Sequence, residues 1–164
     1  MTTTTCADPE TVIRRLIDEG FTGGRLEVAD ELIADDLVEH QSFGPDHAPG
    51  AEGVRAVIGS LKRAFPDFRL EIEDLVVAGD IVWTRNVATG TNHGSFLGNP
   101  PTGERIQIDV FDVLRVVDGR VVEHWGVPDR LGVLFQLGLA QPPGSRAAAR
   151  TTASSSPGFV RNVA

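Results

Sequence analysis

The chain has 164 residues, 41% of them hydrophobic and 23% charged, which suits one folded domain with a sizeable core. Its formal net charge of −8 argues against a nucleic-acid partner, whose backbone asks for a basic footprint. No apolar run reaches the roughly 20 residues that cross a bilayer, and "MTTTTCADPE" lacks the basic start and apolar core of a signal peptide, so a cytoplasmic protein without a membrane partner is expected.

Residues 1–8 read as a flexible N-terminus. The single cysteine, Cys6, lies there and has no internal partner. Asp8-Pro9-Glu10 is a helix start: an N-cap, a proline in the first turn, then an acid. Val12, Ile13, Leu16 and Ile17 follow at helical spacing, and "GFTGG" at 20–24 ends the run. Leu26, Ala29, Leu32 and Ile33 suggest a second helix. Residues 40–53 hold prolines and glycines and read as loop, with His47 solvated in it. Val54, Val57, Ile58, Leu61 and Phe65 mark a third helix, stopped near Pro66.

From there the period changes to two. Residues 68–78 and 81–93 read as strands joined by the turn Gly79-Asp80. "GSFLGNPPTG" is a loop. Residues 105–117 and 120–127 form a hairpin around Asp118-Gly119, a strong turn signal. Residues 129–137 are a short helix ended by Gly138. From Gln141 to 164 the Pro/Ser/Ala-rich sequence reads as a disordered tail, which leaves residues 9–140 as the domain. Helices followed by a meander of strands argue for an α+β fold, with helices packed on one face of a curved antiparallel sheet.

The hairpin carries acids where β-structure should be buried. With Asp118 and Gly119 as the turn, Leu114 faces Glu123 and Asp112 faces Trp125. One face then holds Ile108, Val110, Asp112, Leu114 and Val116 with Val121, Glu123 and Trp125. The other holds Asp109, Phe111, Val113 and Arg115 with Val122 and His124. Asp112 therefore sits in the more apolar column, a setting that fits a carboxylate for proton transfer. The alternative is a structural ion pair with Arg115 or Arg85. Asp109, on the mixed face, reads as a solvated acid or an interface ion pair. Phe111, Val113 and Val122 on that face predict a homo-oligomer, a dimer first of all.

There are four histidines. His93 ends a strand and is either an acid–base partner or a strand-end histidine bound to backbone. His40 follows the second helix and either lines a cavity or caps a helix. No local metal spacing is present, so no metal is expected. There is no Gly-x-Ser-x-Gly nucleophile motif and no Gly-rich phosphate loop.

Taken in order, Glu39-His40, "PGAEGVRAVI" at 49–58, "FPDF" at 65–68 and Gly79-Asp80 form a series. "TGTNHGSFLGNPPTG" at 89–103, "FDVLRVVDGRVVEHW" at 111–125 and "PDRLGVLFQLG" at 128–138 continue it. The series resembles the SnoaL-like polyketide cyclases, or ester cyclases, over roughly residues 8 to 139. The resemblance implies a cone-shaped fold of the nuclear-transport-factor-2-like type, in which a curved sheet and N-terminal helices enclose an apolar pocket. It also implies cofactor-free chemistry: intramolecular aldol closure of a ring in a polyketide methyl ester. An aspartate on the strand before the final hairpin turn is the acid/base in such enzymes, and a histidine on the preceding strand assists. Those roles fall on Asp112 and His93. The usual "GTHxG" has its histidine third, whereas Gly90-Thr91-Asn92-His93-Gly94 places Asn92 third and His93 one position later.

Trp83, Phe96 and Trp125 are candidate flat surfaces for a polycyclic small-molecule substrate, and His40, Arg85 and His124 complete the candidate substrate contacts. Ketosteroid isomerases and scytalone dehydratases, which share the fold type, rely on active-site tyrosines, and this chain has none. The Arg-x-Asp of limonene-epoxide-hydrolase-like enzymes is broken, because Val87 stands two residues after Arg85. The remaining alternatives are a SnoaL-like hydroxylase or other tailoring enzyme, or a non-catalytic small-molecule-binding module.

Overall fold

The computed structural model describes residues 7–41 and 47–144. The expected tail from 145 onward and most of the expected N-terminal segment lie outside the described residues. Asp8 caps helix α1 (Pro9–Arg15), its Oδ1 accepting the Thr11 N–H at 3.1 Å. The chain does not break after α1. It widens into a π-helical segment (Leu16–Thr22) that keeps Leu16 and Ile17 buried. The Lys62 ammonium holds the end of this segment, donating to the Thr22 and Phe68 carbonyls. Helix α2 (Glu27–Leu32) follows, then strand β1 (Ile33–Glu39), helix α3 (Gly50–Ala64) and strands β2 (Arg69–Ala78) and β3 (Ile81–Thr91). Strands β4 (Arg105–Val117) and β5 (Arg120–Pro128) and helix α4 (Arg130–Gln136) complete the order.

The five strands form a curved sheet in the order β1-β5-β4-β3-β2. The expected antiparallel meander runs from β2 to β5. Strand β1 departs from expectation: it adds to the edge in parallel with β5. The sequence pattern hides it, because its inward positions do not alternate cleanly and its register shifts between Ile33 and Val38.

The helices cover one sheet face. On β3, Val82, Thr84, Asn86 and Ala88 are buried and alternate with outward Trp83, Arg85 and Val87. Val12, Ile13, Leu32, Phe65 and Phe68 from the helical layer meet Val82, Ile106, Leu114 and Val121 of the sheet in one core.

The hairpin turn is where the sequence puts it, with Val117 opposite Arg120. The pairing beyond it differs from expectation. A register shift between Arg115 and Val116 leaves Val122 as an extra residue on β5, so Leu114 faces His124 and Asp112 faces Gly126. A one-residue bulge sends every later side chain to the opposite face. His124, Gly126 and Pro128 turn toward the helices, and Glu123, Trp125 and Val127 turn outward.

Candidate active site

Between the helices and the inner sheet face lies a cavity of about 490 Å³, within the size range of small-molecule sites. Its wall is mostly apolar, with Leu16, Phe21, Val54, Leu61, Phe65, Ile108, Val110 and Leu134 among the contributors. Polar groups enter it at a few points: Glu39, Gln41, His47, Ser60, Asp112, His124 and Arg130. An apolar vessel with a small polar cluster is the arrangement that binds an apolar body and fixes one end of it.

The cluster is built by three neighbouring strands. Strand β4 supplies Asp112, β5 supplies His124 and β1 supplies Glu39. His124 stands between the two carboxylates. Its Nδ1 lies 2.8 and 3.0 Å from the Glu39 oxygens, and its Nε2 lies 3.2 Å from Asp112 Oδ1. Burial opposes a charge on this ring, but hydrogen bonds and attraction from Asp112 and Glu39 outweigh it and push the His124 pKa up to about 9. Asn86 of β3 donates from Nδ2 to Asp112 Oδ2 and to Thr84 Oγ1, both at 2.9 Å. Among the described residues, Asn86 Oδ1 is buried with no hydrogen-bond partner. The amide thus fixes the Asp112 carboxylate from the neighbouring strand.

Gly126 completes the floor. A Cβ built there would lie 2.1 Å from Gln41 Oε1, 2.8 Å from His124 Cε1 and 2.9 Å from Asp112 Oδ1. The backbone of β5 must carry no side chain at this point if the three groups are to converge.

The residues singled out from sequence separate into two sets. Asp112, His124 and Phe96 line the cavity. Phe96 is held there edge-on against the buried Phe65, with ring centroids 5.2 Å apart. Trp83, Arg85, His40 and Trp125 do not line it. Trp83 and Arg85 have the outward parity of β3, and the β5 bulge turns Trp125 away from Asp112. His40 goes with Trp125: the rings stack 4.5 Å apart, and His40 Nε2 meets Glu123 Oε1 at 3.0 Å. His93 is exposed beyond the end of β3 and outside the cavity lining, its N–H donated to the Ala64 carbonyl at 3.0 Å. Asn92, which stands where that motif has its histidine, is the buried one, with its side chain bonded to the Ala64 and Gly94 carbonyls and to Thr102. His47, expected in solvent, lines the cavity instead.

Asp112 takes none of the arginine partners that sequence offered. Arg115 pairs with Asp80 and Glu123, and Arg85 pairs with Asp74 at 2.7 Å. Asp109 is the exposed acid near Arg85, at 3.8 Å. Glu39, Gln41 and Asn86 were missed. A polar residue on the inward parity of β3 marked Asn86 and the Glu39-His40 pair of the family series marked Glu39, whereas Gln41 had no signal without β1. Among the described residues no three His, Cys, Asp or Glu side chains converge as a metal ion would require, and no helix is long and apolar enough to cross a membrane.

The profile of the SnoaL-like polyketide cyclases matches residues 11–137. The chain belongs to this family. Among its SnoaL-like relatives, the aklanonic acid methyl ester cyclase DauD of Streptomyces sp. (strain C5) is 29% identical over 139 residues, covering 80% of this chain and 82% of that protein. IdmH of Streptomyces antibioticus, described as a candidate polyketide cyclase, is 38% identical with a TM-score of 0.69, covering 80% of this chain and 99% of its own. AclR of Streptomyces galilaeus, described as a candidate hydroxylase, is 30% identical with a TM-score of 0.70, covering 84% and 100%. The SnoaL-like fold and family are therefore those that the sequence motifs imply.

Proposed function

We propose that this protein is a cofactor-independent polyketide cyclase, in which Asp112 is the acid/base of an intramolecular aldol ring closure and His124 is its proton-donating partner. The observation that carries this reading is the hydrogen-bonded pair Asp112–His124, set in the wall of an otherwise apolar cavity.

The steps need no redox partner. The Asp112 carboxylate takes a proton from a substrate carbon flanked by carbonyls, leaving an enolate. The enolate carbon attacks a ketone carbon of the same molecule, a C–C bond forms, and the carbonyl electron pair becomes an alkoxide. That alkoxide takes a proton from Asp112 directly, or from His124 Nε2–H with the Asp112 proton then passing to His124 Nε2, and either way Asp112 ends as the carboxylate and His124 as it began. The assisting role implied for His93 passes to His124, which touches Asp112 while His93 faces solvent. The apolar wall excludes water and holds the folded chain near its reactive geometry.

The cluster also bears on substrate form. Glu39 and Asp112 place two carboxylates around one imidazole, and a third carboxylate beside the reacting carbon would be repelled. A polyketide acid is better received as its ester, the form named for DauD. The outward sheet face, with Trp83, Phe111 and Val127 exposed, is read as the contact of a homodimer.

The test is turnover of a polyketide methyl ester of that class. The expected product is an isomer of equal mass with one more ring, formed without oxygen uptake, and Asp112→Asn slows its formation by roughly two to four powers of ten. Oxygen consumption with an added oxygen atom in the product would instead support a hydroxylase, the reading favoured by the likeness to AclR. Tight binding without any product would support a binding module.

A further inference from the structure

We propose that Glu39 is a positioning residue, which holds His124 as an imidazolium with its Nε2–H directed at Asp112. The proposal deepens the reading given under Proposed function and rests on it.

The hydrogen-bond inventory comes first. A neutral imidazole has one donor nitrogen and one acceptor nitrogen. Here both nitrogens meet carboxylate oxygens: Glu39 at Nδ1, 2.8 and 3.0 Å away, and Asp112 at Nε2, 3.2 Å away. Carboxylates only accept, so the ring satisfies both neighbours only when both nitrogens carry protons.

The backbone explains why Glu39 is the partner that fixes the ring. Glu39 and His124 are register partners on the parallel strands β1 and β5, so their side chains stand side by side on the inner face. The His40 N–H donates to the His124 carbonyl at 2.9 Å and locks that register. Glu39 is itself tethered, because its Oε1 accepts the Gln41 N–H at 2.7 Å. A carboxylate held by its own main chain, against the nitrogen that faces away from Asp112, sets the ring's orientation in the way a buried acid orients a catalytic histidine. The other charged or titratable side chains lining the cavity are His47, ahead of α3, and Arg130, at the start of α4. The raised pKa of His124 agrees with this geometry.

The consequence is a division of labour. Asp112 takes the substrate proton, and His124, charged as the reaction begins, steadies the developing alkoxide and carries the Nε2 proton that can be passed to it. Without Glu39, Nδ1 loses its acceptor, and a neutral ring bonded through Nε2–H no longer brings a positive charge to the site.

The test uses the full chain without substrate. The imidazole resonances are followed by NMR through a pH titration, and the His124 signal is identified by its loss in His124→Gln. Turnover of the polyketide ester is measured over the same pH range. In the wild type the midpoint is expected near 9. In Glu39→Gln it should fall by roughly one to three pH units, the usual effect of removing an adjacent opposite charge. If Glu39→Gln does not fold, Glu39→Asp, which draws the carboxylate back by one methylene, should give a smaller fall in the same direction. An unchanged midpoint in a folded variant overturns the proposal. A midpoint that falls together with the alkaline limb of turnover supports both the proposal and the role of His124. A midpoint that falls while turnover keeps its pH profile supports the hold of Glu39 on the ring and rejects His124 as a participant in catalysis.

Discussion

Gly126 stands directly opposite Asp112 in the β4–β5 ladder, and the empty volume over its Cα is where Gln41, His124 and Asp112 meet. The φ angle at Gly126 is not in the left-handed region, so an alanine there strains no backbone. It would strain the site instead. Gln41 can swing its amide aside, but the His124 ring is pinned from both ends. Gly126→Ala should therefore fold normally and melt within a few degrees of the wild type, yet lose about ten- to a hundredfold in turnover, the scale expected when reacting groups move by about 1 Å. A thermal melt and a progress curve decide it. Wild-type turnover would mean that the cluster is not the reacting centre.

The two histidines that sequence could have chosen should behave oppositely. His124→Gln removes the group that touches Asp112, and turnover should fall by roughly two powers of ten or more. His93→Gln removes an exposed ring whose residue is anchored through its backbone N–H, and turnover should stay within about twofold. The comparison is made on one substrate at one pH. Loss of activity in His93→Gln with His124→Gln intact would return the assisting role to His93.

The sequence put Trp125 rather than His124 beside Asp112, and the reason lies in particular residues. Asp112 was legible because β4 is regular and long, so its parity is fixed by Ile108, Val110 and Leu114 on the same face. The partner strand was legible as an element, but its parity was not, because the bulge at Val122 is a tertiary adjustment with no turn residue to announce it. One inserted position exchanged Trp125 for His124 beside Asp112. The place of Glu39 beside His124 was illegible for another reason: β1 is an edge strand in parallel pairing with irregular burial, and its assignment depends on β5 already being in place. The helices, by contrast, followed from local signals. Asp8 and Asp129 accept backbone N–H groups at the starts of α1 and α4, as their positions in the sequence suggest.

Stability should carry the signature of the buried cluster. The folded pKa of His124, about 9, lies above its ordinary value of 6.5. A raised pKa means that the native state holds its proton more tightly than the unfolded chain does. The resulting stabilisation is full below about pH 6.5 and is lost as pH rises through about 9. From the two values it is at most about 3 kcal/mol. Melting temperature should therefore fall between pH 7 and 9.5 in the wild type and fall less steeply in His124→Gln. Equal slopes in the two proteins would show that the ring gains no proton affinity on folding.

The outer sheet face leads to the last expectation. Val76, Trp83, Val113 and Trp125 form one cross-strand row, and Phe111 pairs with Val127 beside it. Trp83 is 56% exposed, Phe111 52% and Val127 69%, an unusual amount of apolar surface for one side of a sheet. A standard stable interface takes roughly 800 Å² from each partner, and the outer face of a five-stranded sheet is a surface of that order. The face also carries both signs of charge, with Arg85 beside Asp74 and Asp109, so it can meet a copy of itself about a two-fold axis without like charges opposing. The wild type should therefore run as a dimer by light scattering at micromolar concentration. Phe111→Asp, which sets a carboxylate on the apolar face next to that row, should give a folded monomer. Because the cavity opens on the other side of the sheet, that monomer should keep turnover within a few-fold. A wild-type monomer would leave the exposed tryptophan without a partner and would sink the self-association reading, and a Phe111→Asp dimer would place the contact elsewhere on the surface.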